Sequence, residues 1–272
     1  MTVIVTDSIT RLPDNARDAV VLAASHGGSY SAVCALKAGL RAVVLSDAGV
    51  GREQAGIAGL QILDEHGIPA ASISHRSARI GDGADCRARG VISFRNAGAR
   101  RLHVDAGDAV DQALRKLATA APNHALSDSA ATEQRHQLRG FGQARVVILD
   151  SASLIAEGDR GSIVVTGSHG GLLGGDPASA VKYPVFAAIF NDANRGADDA
   201  GISRLRALDE RDIAGATVSA WSARIGDGRS TYHDGFISAV NRRAAGLGAE
   251  VGLATSETVA RLAAAYVREQ QG

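Results

Sequence analysis

The heptapeptide SARIGDG stands at positions 77–83 and again at 222–228, 145 residues apart in a chain of 272. An internal repeat constrains a fold more tightly than composition does, because whatever unit the first copy forms the second is expected to form as well. The repeat extends far beyond these seven residues. VIVTDS at 3–8 aligns with VVILDS at 146–151, and AVVLAASHGG ending at Gly28 aligns with SIVVTGSHGG ending at Gly171, both at an offset of 143. ALKAGLRAVVLSDAGVG, AGIAGLQILDE and GVISFRNAGA then align with AVKYPVFAAIFNDANRG, AGISRLRALDE and GFISAVNRRA at an offset of 145, so the second copy carries two more residues, most simply Leu172 and Leu173.

Two copies of more than 100 residues each are far longer than solenoid repeats and point to duplication of a whole unit. The expected organisation is a first α/β repeat over 1–120, a connector over 121–145 and a second repeat over 146–272. The connector, APNHALSDSAATEQRHQLRGFGQAR, is polar and is expected as an exposed loop or a helix.

Within a copy the hydrophobic period alternates. AVVLAAS is a continuous apolar run, as in a strand buried on both faces. SYSAVCALKAG reads as a helix, RAVVLSDAG as a strand, REQAGIAGLQILDEHGI as a helix, PAASISH as a strand and DCRARGVISFRNAGARRL as a helix. Strands alternating with helices imply a parallel sheet. The expected fold is α/β, with two tandem homologous Rossmann-like units whose parallel sheets are related by a pseudo-twofold axis.

Composition removes several function classes. Lys plus Arg and Asp plus Glu are both 29, so net charge draws the chain neither to nucleic acid nor to an anionic membrane. Two cysteines, Cys34 and Cys86, make no disulfide framework and lack zinc-site spacing. The start MTVIVTDSIT lacks the basic and apolar regions of a signal peptide, and no apolar run reaches the roughly 20 residues of a membrane span, so a cytoplasmic protein is expected. No P-loop, HExxH, EF-hand loop, CxxC pair or GxSxG elbow is present. Gly49 and Gly51 are followed by Gly56, too late for a GxGxxG fingerprint. Neither a cofactor nor a metal is expected.

The retained polar motifs each follow a strand and precede a helix, at the edge where open parallel sheets bind ligands. In SHGG, Ser25, His26, Gly27 and Gly28 recur as Ser168, His169, Gly170 and Gly171. The glycines allow a ligand to approach the backbone, and a turn by itself needs no histidine. His26 and His169 are therefore candidate proton carriers, against a reading in which they bond locally within a tight turn. Asp47 and Asp192, in DAGVG and DANRG, are candidate bases or histidine-orienting carboxylates, or else helix caps.

In SARIGDG, Ser77 and Ser222 are candidate nucleophiles, while Arg79, Asp82, Arg224 and Asp227 are candidate substrate ligands. The competing reading is an internal Arg–Asp ion pair that staples the loop. Lys37 and Lys182 either complement a helix dipole or form a Ser–Lys dyad of the kind found in some amidohydrolases. The copies also differ: Cys86 becomes Thr231, His75 becomes Ala220, and Arg76 becomes Trp221.

These residues lead to a cofactor-independent enzyme on a small carboxylate or amide, foremost an amidohydrolase-like hydrolase, with a small-molecule substrate and possible homo-oligomerisation. An isomerase or lyase on a small carboxylate, or a non-catalytic small-ligand binding protein, remain open alternatives.

Overall fold

The structure, a computed structural model, describes residues 2–122 and 133–271. The chain is mixed α/β and divides into two compact units. The first takes in the N-terminal part of the chain together with the short segments Leu173–Gly175 and Arg195–Ala200; the second takes Glu133–Leu172, Asp176–Asn194 and the chain from Gly201 onward.

In the first unit, strands β1 (Val3–Thr6), β2 (Val20–His26), β3 (Ala42–Ser46), β4 (Ala70–Ile73) and β5 (Ile92–Arg95) form a five-stranded sheet in sequence order. β1 to β4 run parallel and β5 returns antiparallel beside β4. Helices α1 (Ser29–Lys37), α2 (Gly59–Glu65), α3 (Gly83–Arg89), α4 (Ala97–Arg101) and α5 (Val110–Leu117) complete this unit. The continuous apolar run of β2 serves two cores at once. Val20, Leu22 and Ala24 pack with Val44, Val110 and Leu114 on one face, and Val21 and Ala23 pack with Leu36, Leu45 and Leu63 on the other. Such a strand needs apolar side chains at every position, because both its faces are covered.

In the second unit, β6 (Arg135–Leu138), β7 (Val146–Leu149), β8 (Ile163–His169), β9 (Ala187–Asn191), β10 (Ala214–Val218) and β11 (Ile237–Val240) form a six-stranded sheet in consecutive order. β7 to β10 are parallel, whereas β6 and β11 are antiparallel to their neighbours. Its helices are α6 (Arg204–Asp209), α7 (Gly228–Asp234), α8 (Arg242–Gly246) and α9 (Thr255–Gln271). Among the described residues no helix is long and apolar enough to cross a membrane.

Three expectations of local structure are corrected. DCRARGVISFRNAGARRL is not one helix but α3, β5 and α4 in succession. Gly90 ends α3 in a space where a Cβ would stand 2.3 Å from the Cys86 carbonyl oxygen, and Asn96 caps α4, so the residues between them turn back along β4. The helix expected over REQAGIAGLQILDEHGI is confined to Gly59–Glu65. Before it, Glu53 and Gln54 are left-handed, and a Cβ on Gly56 would stand 2.2 Å from the Asp47 carbonyl oxygen, so the chain is folded tightly onto the end of β3. Finally, the expected connector contributes β6 to a sheet, while its residues 123–132 lie outside the described residues.

Candidate functional site

Parallel pairing sets the ends of β2, β3 and β4 level: His26 is in register with Ser46, and Ser46 with Ile73. The loops that follow are knitted together across this carboxyl edge. Gly27 N–H donates to the Ser46 carbonyl at 2.7 Å, Asp47 N–H to that of Ile73 at 2.8 Å, and Gly81 N–H to that of Ala24 at 2.9 Å. Adjacent strands are about 4.8 Å apart, so the ends of β2 and β4 flank that of β3 at roughly 10 Å from one another.

At the centre of this edge Asp47 is 3% exposed. Its Oδ1 accepts from the N–H groups of Gly49 and His75 and from His75 Nδ1, each at 2.9 Å, while its Oδ2 accepts from the Ser93 hydroxyl at 2.9 Å. Burial alone raises a carboxyl pKa, but these hydrogen bonds, led by that of His75, outweigh it and hold Asp47 below the usual carboxylate range. A carboxylate only accepts, so the Nδ1 of His75 carries a proton. The arrangement is a buried carboxylate–imidazole pair. Sequence reasoning noted His75 only as a difference between the copies; it had no means of knowing that the loop after β4 returns to the carboxylate that ends β3.

Beyond Asp47 the backbone enters a left-handed turn. Ala48, Gly49, Val50 and Gly51 have φ of 46°, 72°, 63° and 68°. Left-handed backbone costs a non-glycine residue about 1–2 kcal/mol, and for the β-branched Val50 it is a true outlier. Ala193, Asn194, Arg195 and Gly196 repeat the turn at 47°, 57°, 63° and 69°. Strain of this kind persists where surrounding structure enforces it, most often beside a working site. Asp192 enforces the second turn through hydrogen bonds from the N–H groups of Asn194, at 2.8 Å, and Ala220, at 2.9 Å. With alanine in place of His75, this carboxylate has no imidazole to orient from that position.

The SHGG loops share a geometry of their own. Gly28 N–H donates to His26 Nδ1 at 3.1 Å, and Gly171 N–H to His169 Nδ1 at 3.2 Å. Burial pushes the His26 pKa down to about 4. A Cβ on Gly27 would lie 2.8 Å from the Gly56 carbonyl, and one on Gly170 would lie 2.5 Å from that of Gly201, which explains the first glycine of each pair. Ser25 and Ser168 accept backbone hydrogen bonds from Ile9 and Ala152, at 2.9 and 2.8 Å, and so anchor the turns that follow β1 and β7.

SARIGDG is a helix start fastened by an ion pair. Asp82 caps α3 by accepting from Asp85 N–H at 2.9 Å, and Asp227 caps α7 by accepting from Ser230 N–H at 2.8 Å. Arg79 and Arg224 lie 3.0 Å from Asp82 and Asp227 respectively. Arg79 also reaches Asp85 at 3.0 Å and Asp198, within the same unit, at 3.3 Å. Ser77 donates to the Ser74 carbonyl at 2.8 Å and accepts from Val91 N–H at 3.0 Å; Ser222 does the same with Ser219 and Phe236. The glycines around Asp82 have separate reasons. Gly81 has a φ of 85°, and a Cβ on Gly83 would stand 2.8 Å from the Thr6 carbonyl oxygen.

The two lysine candidates lie apart from the edge. Lys37 ends α1, which runs from the carboxyl edge back toward the start of β3, so the structure does not bring it to Ser77. Lys182 stands 5.2 Å over the Tyr183 ring, ahead of the start of β9. Cys86 is buried, its thiol pKa pushed up to about 12 chiefly by burial, which makes it a poor nucleophile. Asn96 and Asn241 cap α4 and α8 and accept from Ala70 and Gly215, at the starts of the neighbouring strands and so at the opposite end of each sheet. Among the described residues no group of three or more His, Cys, Asp or Glu is arranged to hold a metal ion. No protein family model, no curated protein sequence and no solved structure matches the chain.

Proposed function

We propose that the chain is a cofactor-independent enzyme acting on a small carboxylate or amide, with His75 as general base and Asp47 as the carboxylate that orients it. The observation that carries this reading is the 2.9 Å contact between His75 Nδ1 and the buried Asp47 carboxylate. A histidine held this way takes a proton at Nε2 and is stabilised as imidazolium while it holds it. The hydroxyls of Ser77 and Ser222 are engaged with backbone groups, which favours direct activation of water over a serine nucleophile. Hydrolysis is the leading chemistry. The same pair would serve an isomerase or lyase by removing a carbon-bound proton, and deuterium incorporation into recovered substrate distinguishes that outcome.

In this reading the two units are tandem homologous Rossmann-like copies with pseudo-twofold symmetry, one keeping the base and the other having lost it. Support comes from networks that recur at corresponding residues: the Asn96 and Asn241 caps, the Asp82 and Asp227 caps, and the two left-handed turns. The SARIGDG loops then fasten the scaffold rather than touch substrate. The setting remains a cytoplasmic protein with a small-molecule substrate, able to self-associate and without a nucleic-acid partner.

The test is consumption of a panel of small amides, cyclic ureides and carboxylates, followed by proton NMR. His75→Gln should lower turnover about 10²- to 10⁴-fold, the range lost with a general base. Arg79→Ala and Arg224→Ala should leave it nearly unchanged. Equal rates for wild type and His75→Gln would refute the proposal.

A further inference from the structure

We propose that His26 is a tautomer-locked hydrogen-bond donor that presents Nε2–H to a carbonyl or carboxylate oxygen of the substrate. This rests on the reading in which His75, two strands away, serves as the base.

The lock is geometric. An N–H group only donates, so the 3.1 Å bond from Gly28 N–H to His26 Nδ1 requires that Nδ1 carry no proton. The one proton of the neutral ring is then on Nε2. Glycine is required at position 28 for the ring to lie there, since a Cβ would stand 2.7 Å from Nδ1 and 3.0 Å from Cε1. The ring is half-buried, and among the described residues the Gly28 bond is the hydrogen bond it makes. The burial that lowers its pKa keeps it neutral at neutral pH, so it polarises an oxygen by donation without transferring a proton in the resting state.

The placement fits a division of labour. His26 ends β2 and His75 follows β4, on either side of Asp47 at the end of β3. Strands two apart are separated by about 10 Å, which suits a molecule of a few heavy atoms with an acceptor oxygen at one end and the group to be attacked or deprotonated toward the other. Amides, imides and oxo-acids have that form. His169 makes the same bond to Gly171 but is only 6% exposed, and its unit has Ala220 where the first has His75. The donor is therefore assigned to the first unit.

The experiment is long-range ¹H–¹⁵N NMR of the histidine rings in the full-length protein, titrated separately with acetate and acetamide. The proposal expects an Nε2–H tautomer at His26 and a shift of that signal with at least one probe. A response to acetate assigns a carboxylate, and a response to acetamide assigns an amide carbonyl. His26→Gln restores a donor near the Nε2 position, whereas His26→Asn keeps only an acceptor near Nδ1. The Gln variant should hold the responding probe nearly as well as wild type, and the Asn variant about tenfold more weakly, the loss expected for one hydrogen bond of ordinary strength. An Nδ1–H tautomer, silence toward both probes, or equal affinity of the two variants would each overturn it. Failure of the base reading appears separately, as an Nε2–H tautomer at His75 with the His26 results unchanged.

Discussion

Asp47 holds His75 by two hydrogen bonds of 2.9 Å, one from the backbone N–H and one from Nδ1 of the ring, so residue position and ring orientation are fixed by the same carboxylate oxygen. The carboxylate also closes the strained turn through Gly49 and receives the Ser93 hydroxyl. A single buried side chain thereby joins the loops after β3 and β4 to strand β5 at the carboxyl edge of one sheet.

Removing it should be costly. Asp47→Ala leaves the N–H groups of Gly49 and His75 without their acceptor and the Ser93 hydroxyl with only the Ser72 carbonyl at 3.2 Å, and hydrogen bonds to charged groups contribute about 1.5–3 kcal/mol each. The expected loss is about 3 kcal/mol or more in chemical denaturation. Asp192→Ala, which releases the N–H groups of Asn194 and Ala220, should cost less. A larger loss for the Asp192 variant would contradict the ranking.

For the SARIGDG loops the cap should matter more than the ion pair. Asp82→Ala and Asp227→Ala each remove an N-cap and should lower stability by about 1 kcal/mol. Arg79 has a side chain 42% exposed, so Arg79→Ala should cost under about 1 kcal/mol. Gly83→Ala and Gly228→Ala push a Cβ to 2.8 and 2.3 Å from the carbonyl oxygens of Thr6 and Leu149, so both should melt well below wild type, the second more so. Differential scanning calorimetry of the five variants decides the order.

Stability should fall with acid in two stages. The His26 pKa is about 4 in the folded chain, against about 6.5 in an unfolded one, so between these values the unfolded state binds the extra proton. Stability is then lost as pH falls through that window, by up to about 1.4 kcal/mol per pH unit. Below about pH 4 the carboxylates add to the loss, because Asp47 and Asp159 are held below the usual range and their contributions vanish as they protonate. His26→Gln should flatten the upper stage alone in urea titrations between pH 7 and pH 3.

Asp159, fully buried, is a test of the second unit. It receives Arg135 from β6 and Arg145 from just before β7, and caps its own turn through the Ala156 N–H at 2.8 Å. Asp159→Asn keeps the size but removes the charge from beneath two arginines. Because Arg135 and Arg145 are 36% and 40% exposed and stay solvated, it should destabilise by only about 1–2 kcal/mol, the scale of a weakened charged hydrogen bond, and loosen β6 in hydrogen exchange. Unchanged protection of residues 135–138 would count against this role.

The α/β character of the chain was legible because β2, β3, β8 and β9 open on unbroken apolar runs, as strands covered on both faces do, and these alternate with helical patterns. The convergence of loops at one edge followed from alternation alone. What escaped was backbone geometry without a side-chain signature. The left-handed conformation of Val50 is chosen by the packing of Gly56 onto the Asp47 carbonyl, not by valine. β5 hid inside a helical reading because Gly90 and Asn96 punctuate a stretch too short for its period to show. In the candidate site, duplication singles out Arg79 and Ser77, which fasten the scaffold through Asp82, Asp85, Asp198 and the backbone at Ser74 and Val91. His75 went unrated because the copies differ there, although a difference between copies is what one working and one silent edge would leave.

The most direct measurement is the long-range ¹H–¹⁵N spectrum of His75 at neutral pH in wild type and in Asp47→Ala. Wild type is expected to show an Nδ1–H tautomer that gives way to a mixed or Nε2–H population once the carboxylate is gone. An Nε2–H ring in wild type, or a tautomer indifferent to Asp47, would contradict it.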